Sequence, residues 1–228
     1  MSVEFDFREV EEVLQRLNRI AESKRVAFRG RIKHLQRLGF PRGANTGTGT
    51  RVRYTFPMLL QLALATELMQ TGMSPVRIVQ TINWSWHDQM GGLFFAMLPK
   101  AMLSQFKPPV EDNDLAWVLS PEGLRDLTEE GDHESAYMFA VLVFPTAELP
   151  SRLKTDPTPV IGEVYRHIVI QLRPFMQRVL GAILGVRPDL RPEDLGKAFE
   201  NYLIDEHKRV GDLVDLLDRP KRPENGRD

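Results

Sequence analysis

The sequence predicts a chain that is mainly α-helical in its first third and α/β (α+β), with three or four strands, in its second half. Three observations predict this. Apolar residues recur at helical spacing through most of residues 9–82. Further along, short apolar runs such as AVLVF and IVIQL are each followed by a proline and an amphipathic stretch. The 228 residues are 42% hydrophobic and 27% charged, the composition of a globular protein with room for one large core or two small ones.

The first helix is expected over Glu9–Glu22, where Val10, Val13, Leu14, Leu17 and Ile20 share a face. The acidic opening MSVEFDFREVEE has no apolar core, so it does not read as a signal peptide. Ser23 then stops that helix or caps the next. The second helix is expected over Val26–Leu38, ending at Gly39 with Pro41 beyond. At 100° per residue, Phe28, Ile32 and Leu35 form its buried stripe. Arg29, Lys33, Gln36 and Arg37 fall on the far side with Gly30 beside them. Gly30 costs up to ~1 kcal/mol against alanine in a helix. It therefore implies a close approach, either to a nucleic-acid backbone or to a neighbouring helix.

The next stretch, PRGANTGTGTRVRY, holds three glycines, three threonines, three arginines and no acid. No Gly-x-x-x-x-Gly-Lys passes through it, and Gly47-Thr48-Gly49 lacks the third glycine of a dinucleotide site. RVRYT alternates instead, with Arg51 and Arg53 on one face of a strand and Val52 and Tyr54 on the other. Gly47 and Gly49 suit the turn of a hairpin. A basic helix followed by a basic, glycine-tipped hairpin is the pattern of a winged helix-turn-helix.

Charge supports a polyanionic partner. From Lys24 to Tyr54 there are nine Lys and Arg (Lys24, Arg25, Arg29, Arg31, Lys33, Arg37, Arg42, Arg51, Arg53) and no Asp or Glu. Of the 30 basic residues in the chain, 21 remain elsewhere, against all 31 acidic ones, a balance of −10. Local charge of that kind is an electrostatic footprint whose usual partner is a polyanion. The candidate contacts on the helix side are Lys24, Arg25, Arg29, Lys33, Gln36 and Arg37. On the wing side they are Arg42, Asn45, Thr46, Thr48, Arg51, Arg53 and Tyr54.

A third helix is expected over Pro57–Thr71, closed by Gly72, and Ser74-Pro75 caps a fourth through Val76, Ile78, Val79 and Ile82. Three segments in this order, SKRVAFRGRIKHLQRLGFP, GTGTRVRYT and LLQLALATELMQTGMSPVRIVQTI, resemble the DNA-binding domain of MerR-type regulators. The likeness covers about residues 9–82. It implies helix contacts to DNA from Arg29, Lys33 and Arg37, and wing contacts or supports from Arg51, Arg53 and Tyr54. Unlike that family, this chain is expected to open on a helix with no N-terminal strand. It has no cysteine ligands, and no long coiled-coil helix is expected directly after Ile82.

Asn83–Gly92, NWSWHDQMGG, reads as a linker or lid, and Gly92–Leu98 as a strand or a helix. Trp84, Trp86 and His87 are expected to pack a domain junction or to line a pocket. LAWVLS before Pro121, MFAVLVF before Pro145 and HIVIQLR before Pro174 form a weak strand–proline–helix repeat. The last helix is expected over Pro192–Leu217, with Leu195, Phe199, Leu203, Val210, Leu213 and Leu217 serving a core or a dimer seam. Residues 218–228 are polar and proline-bearing and are expected to be disordered.

Catalytic and metal chemistry find little here. The chain has no cysteine, and its five histidines stand apart from one another in sequence. No membrane-spanning run is present. The expectation is three regions: a winged helix domain over 1–82, a dimerisation or sensing domain over 83–217, and the tail. The expected function is sequence-specific binding of double-stranded DNA by a cytoplasmic, nucleoid-associated homodimeric transcription regulator, not an enzyme and with no cofactor. A small-molecule or protein effector is a candidate partner for the second domain. The rival readings are an architectural or recombination-directionality DNA binder of phage or mobile-element type, and an adaptor whose basic face meets an acidic protein.

Overall fold

A strand of two residues opens the chain, and its partner lies fifty residues away. Glu4–Phe5 (β1) pairs antiparallel with Tyr54–Thr55 (β2), with Glu4 opposite Thr55 and Phe5 opposite Tyr54. The expectation of a chain without an N-terminal strand is therefore corrected. Two residues are too few for an alternation to show, and the pairing is secured by tertiary burial: Phe5 and Tyr54 are both fully buried.

The structure, a computed structural model, describes residues 3–44, 52–99, 114–119, 141–151 and 167–217. After β1 come helices Phe7–Leu17 (α1) and Arg25–Arg37 (α2), with a 3₁₀ turn at Glu22–Lys24 between them. β2 leads into Phe56–Gln70 (α3) and Pro75–Met97 (α4). Strands Leu115–Leu119 (β3), Val141–Pro145 (β4) and Ile168–Gln171 (β5) precede helices Leu172–Val186 (α5) and Pro192–Leu217 (α6).

A capping box starts α1. The Asp6 carboxylate accepts from the Glu9 amide at 2.8 Å, and the Glu9 carboxylate accepts from the Asp6 amide at 2.7 Å. The helix ends at Leu17 rather than Glu22. Asn18 turns its amide back onto the Leu14 carbonyl and across to Thr66, and Arg19 adopts the left-handed region at φ 50°. That turn removes Ile20 from the helix. At the ends of α2 and α3, Gly39 at φ 75° and Gly72 at φ 82° supply the positive φ that the sequence signals.

The expected linker Asn83–Gly92 is instead the middle of α4, which also settles Gly92–Met97 as helix. Its aromatic and glycine-rich composition hides a continuing stripe: Ile82, Trp86, Gln89, Met90 and Leu93 are all buried. Trp86 packs toward α6 and donates its indole N–H to the Tyr202 hydroxyl at 2.8 Å. Trp84 and His87 lie on the exposed side.

The second half carries a three-stranded antiparallel sheet in the order β4-β3-β5, so the mixed region is α+β and the described chain is mostly helical. Trp117 and Leu119 face the main core, while Ala116 and Val118 meet Phe144 on the other side. Pro145 leads into a 3₁₀ turn at Thr146–Glu148, and Pro174 sits in the first turn of α5. Pro121 and residues 218–228 lie outside the described residues.

One continuous apolar cluster joins these elements, running from Val3 through α1, α3, α4 and α5 to Phe199 of α6. Phe199 meets Phe56 of α3 at 5.7 Å and Phe94 of α4 at 6.0 Å, both edge to face. The α6 stripe begins as core, with Leu195 and Phe199 fully buried. Polar ties reinforce the packing of α5 on α1. Arg178 donates to the Leu17 carbonyl at 2.8 Å, and Arg187 reaches the Glu9 carboxylate at 3.2 Å and the Glu4 carbonyl at 3.3 Å. The boundary expected at residue 82 thus runs through the middle of α4 and of this cluster. No helix among the described residues is long and apolar enough to cross a membrane.

Gly92 is where α4 approaches the sheet most tightly. A Cβ there would lie 2.8 Å from Val143 Cγ1 and 3.0 Å from Leu172 Cδ1. Overpacking costs about 1 to 3 kcal/mol, reduced by up to ~1 kcal/mol for the better helix former. Gly92→Ala is therefore expected to lower the urea midpoint with an unchanged slope. A midpoint at or above the wild type would show that β4 and α5 do not press on α4 here.

Candidate nucleic-acid interface

The second helix is built to be held on one side and open on the other. Phe28, Ile32 and Leu35 are buried, at 8%, 1% and 0% exposure. The opposite line is Val26, Gly30, Lys33 and Arg37, spaced four, three and four residues apart, and all four are exposed. Lys24, Arg25, Arg31 and Arg42 are exposed as well. Arg53, just ahead of β2, is exposed while the next residue, Tyr54, is buried, as the alternation predicts. Asn45, Thr46, Thr48 and Arg51 lie outside the described residues, as does the glycine tip of the expected hairpin. The described part of RVRYT contributes β2, whose partner is β1.

Three of the expected contacts are engaged inside the protein. Arg29 donates from Nε to both carboxylate oxygens of Glu11, at 2.9 Å each. Glu11 is buried and also accepts from Gln15 at 2.9 Å. The Glu11 hydrogen bond, then its charge, raises the Arg29 pKa further above its usual value. Arg29 remains exposed on its far side, but its direction is fixed from α1.

Gln36 is half-buried, not part of the free face, because its amide donates to the Tyr54 hydroxyl. Tyr54 is fully buried, with its ring 6.4 Å from that of Phe7. Burial raises its pKa, and the Gln36 hydrogen bond opposes the rise. Of the two roles open to Tyr54, contact or support, its burial fits support. The Gln36–Tyr54 bond fastens the end of α2 to the strand leaving the basic segment.

Gly30 answers a question the sequence left open. A Cβ built there has nothing within 4 Å, so no neighbouring helix requires the glycine. The gap it leaves is on the outward stripe. Two residues escaped the sequence reading. Val26, 81% exposed, looks like the start of a core stripe but falls on the far side of the helix. Glu11 reads as one acid in an acidic helix. Its only signal is its place between Val10 and the Val13–Leu14 pair, at the edge of the buried face.

Comparison with protein-family models, with curated proteins and with solved structures finds no match for this chain.

The clasp at Tyr54 is testable by a double-mutant cycle. Tyr54→Phe and Gln36→Ala should each cost about 0.5 to 1.5 kcal/mol, and the double variant little more than either alone. Additive losses would mean that the two side chains do not bond. On the helix itself, Phe28→Ala should cost about 3 to 5 kcal/mol, whereas Lys33→Ala should stay within about 0.5 kcal/mol of wild type in chemical denaturation.

Proposed function

We propose that this chain is a sequence-specific double-stranded DNA-binding transcription regulator that lays α2 in the major groove. One observation carries the reading: the outward stripe Val26–Gly30–Lys33–Arg37 stands within a segment of nine cations and no acid. A helix of about 10 to 12 Å diameter fits a major groove about 12 Å wide. Its buried stripe meets the scaffold, which leaves the opposite stripe for base edges. Lys33 and Arg37 can donate to guanine O6 and N7, and Val26 offers a methyl surface to thymine. The open space at Gly30 lets the helix backbone approach the duplex closely. Arg42, beyond the end of α2, and Arg53, just ahead of β2, are exposed and would neutralise phosphates. The order strand, two helices, basic segment, strand and two further helices agrees with the MerR-like resemblance of residues 9–82. As a homodimer the chain would meet two half-sites.

The reading is tested by duplex binding across a salt series. Affinity should fall steeply, with each neutralised phosphate adding about −0.9 to the log–log slope. Absent or salt-insensitive binding would overturn it. Lys33→Ala and Arg37→Ala should relax site preference at one position each, at about 1 to 3 kcal/mol where a bidentate contact is lost. Site selection on each variant checks this.

Gly30→Ala separates structure from recognition. An exposed helical glycine with open space around it should gain up to ~1 kcal/mol of stability on becoming alanine. The same methyl group should weaken DNA binding. Thermal denaturation and duplex titration on one protein preparation read both; higher stability with unchanged affinity would turn this stripe away from the DNA.

A further inference from the structure

The concave surface between α1 and α2 is lined by more arginine than its carboxylates can balance. Arg8, Arg16 and Arg19 come from α1 and its end, and Arg25 and Arg29 from α2, around a groove of about 580 Å³. Two carboxylates share the groove. Glu11 is committed to Arg29 and Gln15, and Glu12 pairs with Arg16 at 3.3 Å. Among the described residues, Arg8, Arg19 and Arg25 have no carboxylate partner, and all three are exposed. Five arginines against two glutamates leave three positive charges in surplus.

Clustered cations repel one another, and the arrangement is eased by an anion. A guanidinium is planar and donates in a fork, which matches the oxygens of phosphate. Of the nine lining residues only Ile20 is apolar, so charged and amide groups decide which ligand fits. Arg29 is less than a quarter turn around α2 from Lys33 and Arg37, so the groove borders the outward stripe. In helix-turn-helix docking the first helix crosses the DNA backbone while the second enters the groove.

We propose that the α1–α2 groove is a phosphate site, filled on DNA by the sugar–phosphate strand beside the major groove that α2 enters. This rests on the DNA-binding reading and extends the footprint beyond residues 24–54 to Arg8 and Arg19. The same chemistry would accept a free pyrophosphate group, and the two sources are separable.

The test uses the full-length chain and the double variant Arg8→Ala/Arg19→Ala, with Lys197→Ala/Lys208→Ala on α6 as a control of equal charge. Circular dichroism and the melting temperature establish that each is folded. Anisotropy titration of a labelled duplex over a salt series reads the DNA arm. Calorimetric titration with inorganic pyrophosphate reads the free-phosphate arm. We expect the log–log salt slope of Arg8→Ala/Arg19→Ala to flatten by about two units, with the control nearer to wild type. If the wild type ignores duplex but binds pyrophosphate, and the variant loses that binding, the phosphate site stands and the DNA reading falls. If the wild type binds duplex and the variant keeps the same slope, the phosphate site is overturned and the DNA reading stands. A wild type that binds neither overturns both.

Discussion

The apolar stripe of α1 is the constraint on which the rest of the arrangement depends. Val10, Val13, Leu14 and Leu17 are all buried, and α1 packs against α2, α3 and α5. Burying such side chains contributes about 1.5 to 3 kcal/mol each, so these helices are not free to part. The placement of α2 follows from it. Phe28, Ile32 and Leu35 seat that helix in the core, and the Glu11–Arg29 pair fixes one flank. Arg29 is half-exposed but Glu11 is buried, so the pair keeps that carboxylate from being stranded without a cation. It is also directional, because a planar guanidinium held at Nε has few orientations left.

A nearly neutral chain carries a strongly basic face because the apolar stripe, not charge, holds that face in place. Elsewhere in the described structure arginines pair with acids, across elements as Arg178 with Glu67 and Arg187 with Glu9, or locally as Arg187 with Asp189. Around α2 the pattern changes. Arg25, Lys33 and Arg37 are exposed with no carboxylate partner among the described residues. Such a surface has no internal pairing among the described residues, which is what the proposed DNA contact requires. The proposed phosphate groove extends this surface onto α1, where Arg8 and Arg19 continue it.

Much of this was legible in the sequence where a physical rule is local. Gly39 and Gly72 mark helix ends because positive φ suits glycine, and Ser74-Pro75 marks a start because it caps one. The buried stripe of α2 and the bounds of α6 follow from periodicity and a helix-starting proline. The misses depend on distant partners. β1 exists because Phe5 and Tyr54 are buried together, which no two-residue pattern can announce. α4 passes through NWSWHDQMGG because Trp86, Gln89 and Leu93 find a core to enter. Of the candidate site, the charge was visible at once. What the sequence hides is which polar groups are already engaged: Gln36 with Tyr54, and Arg29 with Glu11.

The apolar cluster links the two halves, and α4 carries it across residue 82. α5 packs on α1 from the side of the second half, and Arg187 reaches Glu4 and Glu9 at the very start of the chain. Glu9 in turn caps α1, the helix that carries both Glu11 and the proposed phosphate arginines. α5 also packs on α4, and α2 packs on both α1 and α4, so the basic helix shares one scaffold with the second half rather than standing on a separate unit. Packed helices of this kind shift as bodies rather than deform gradually.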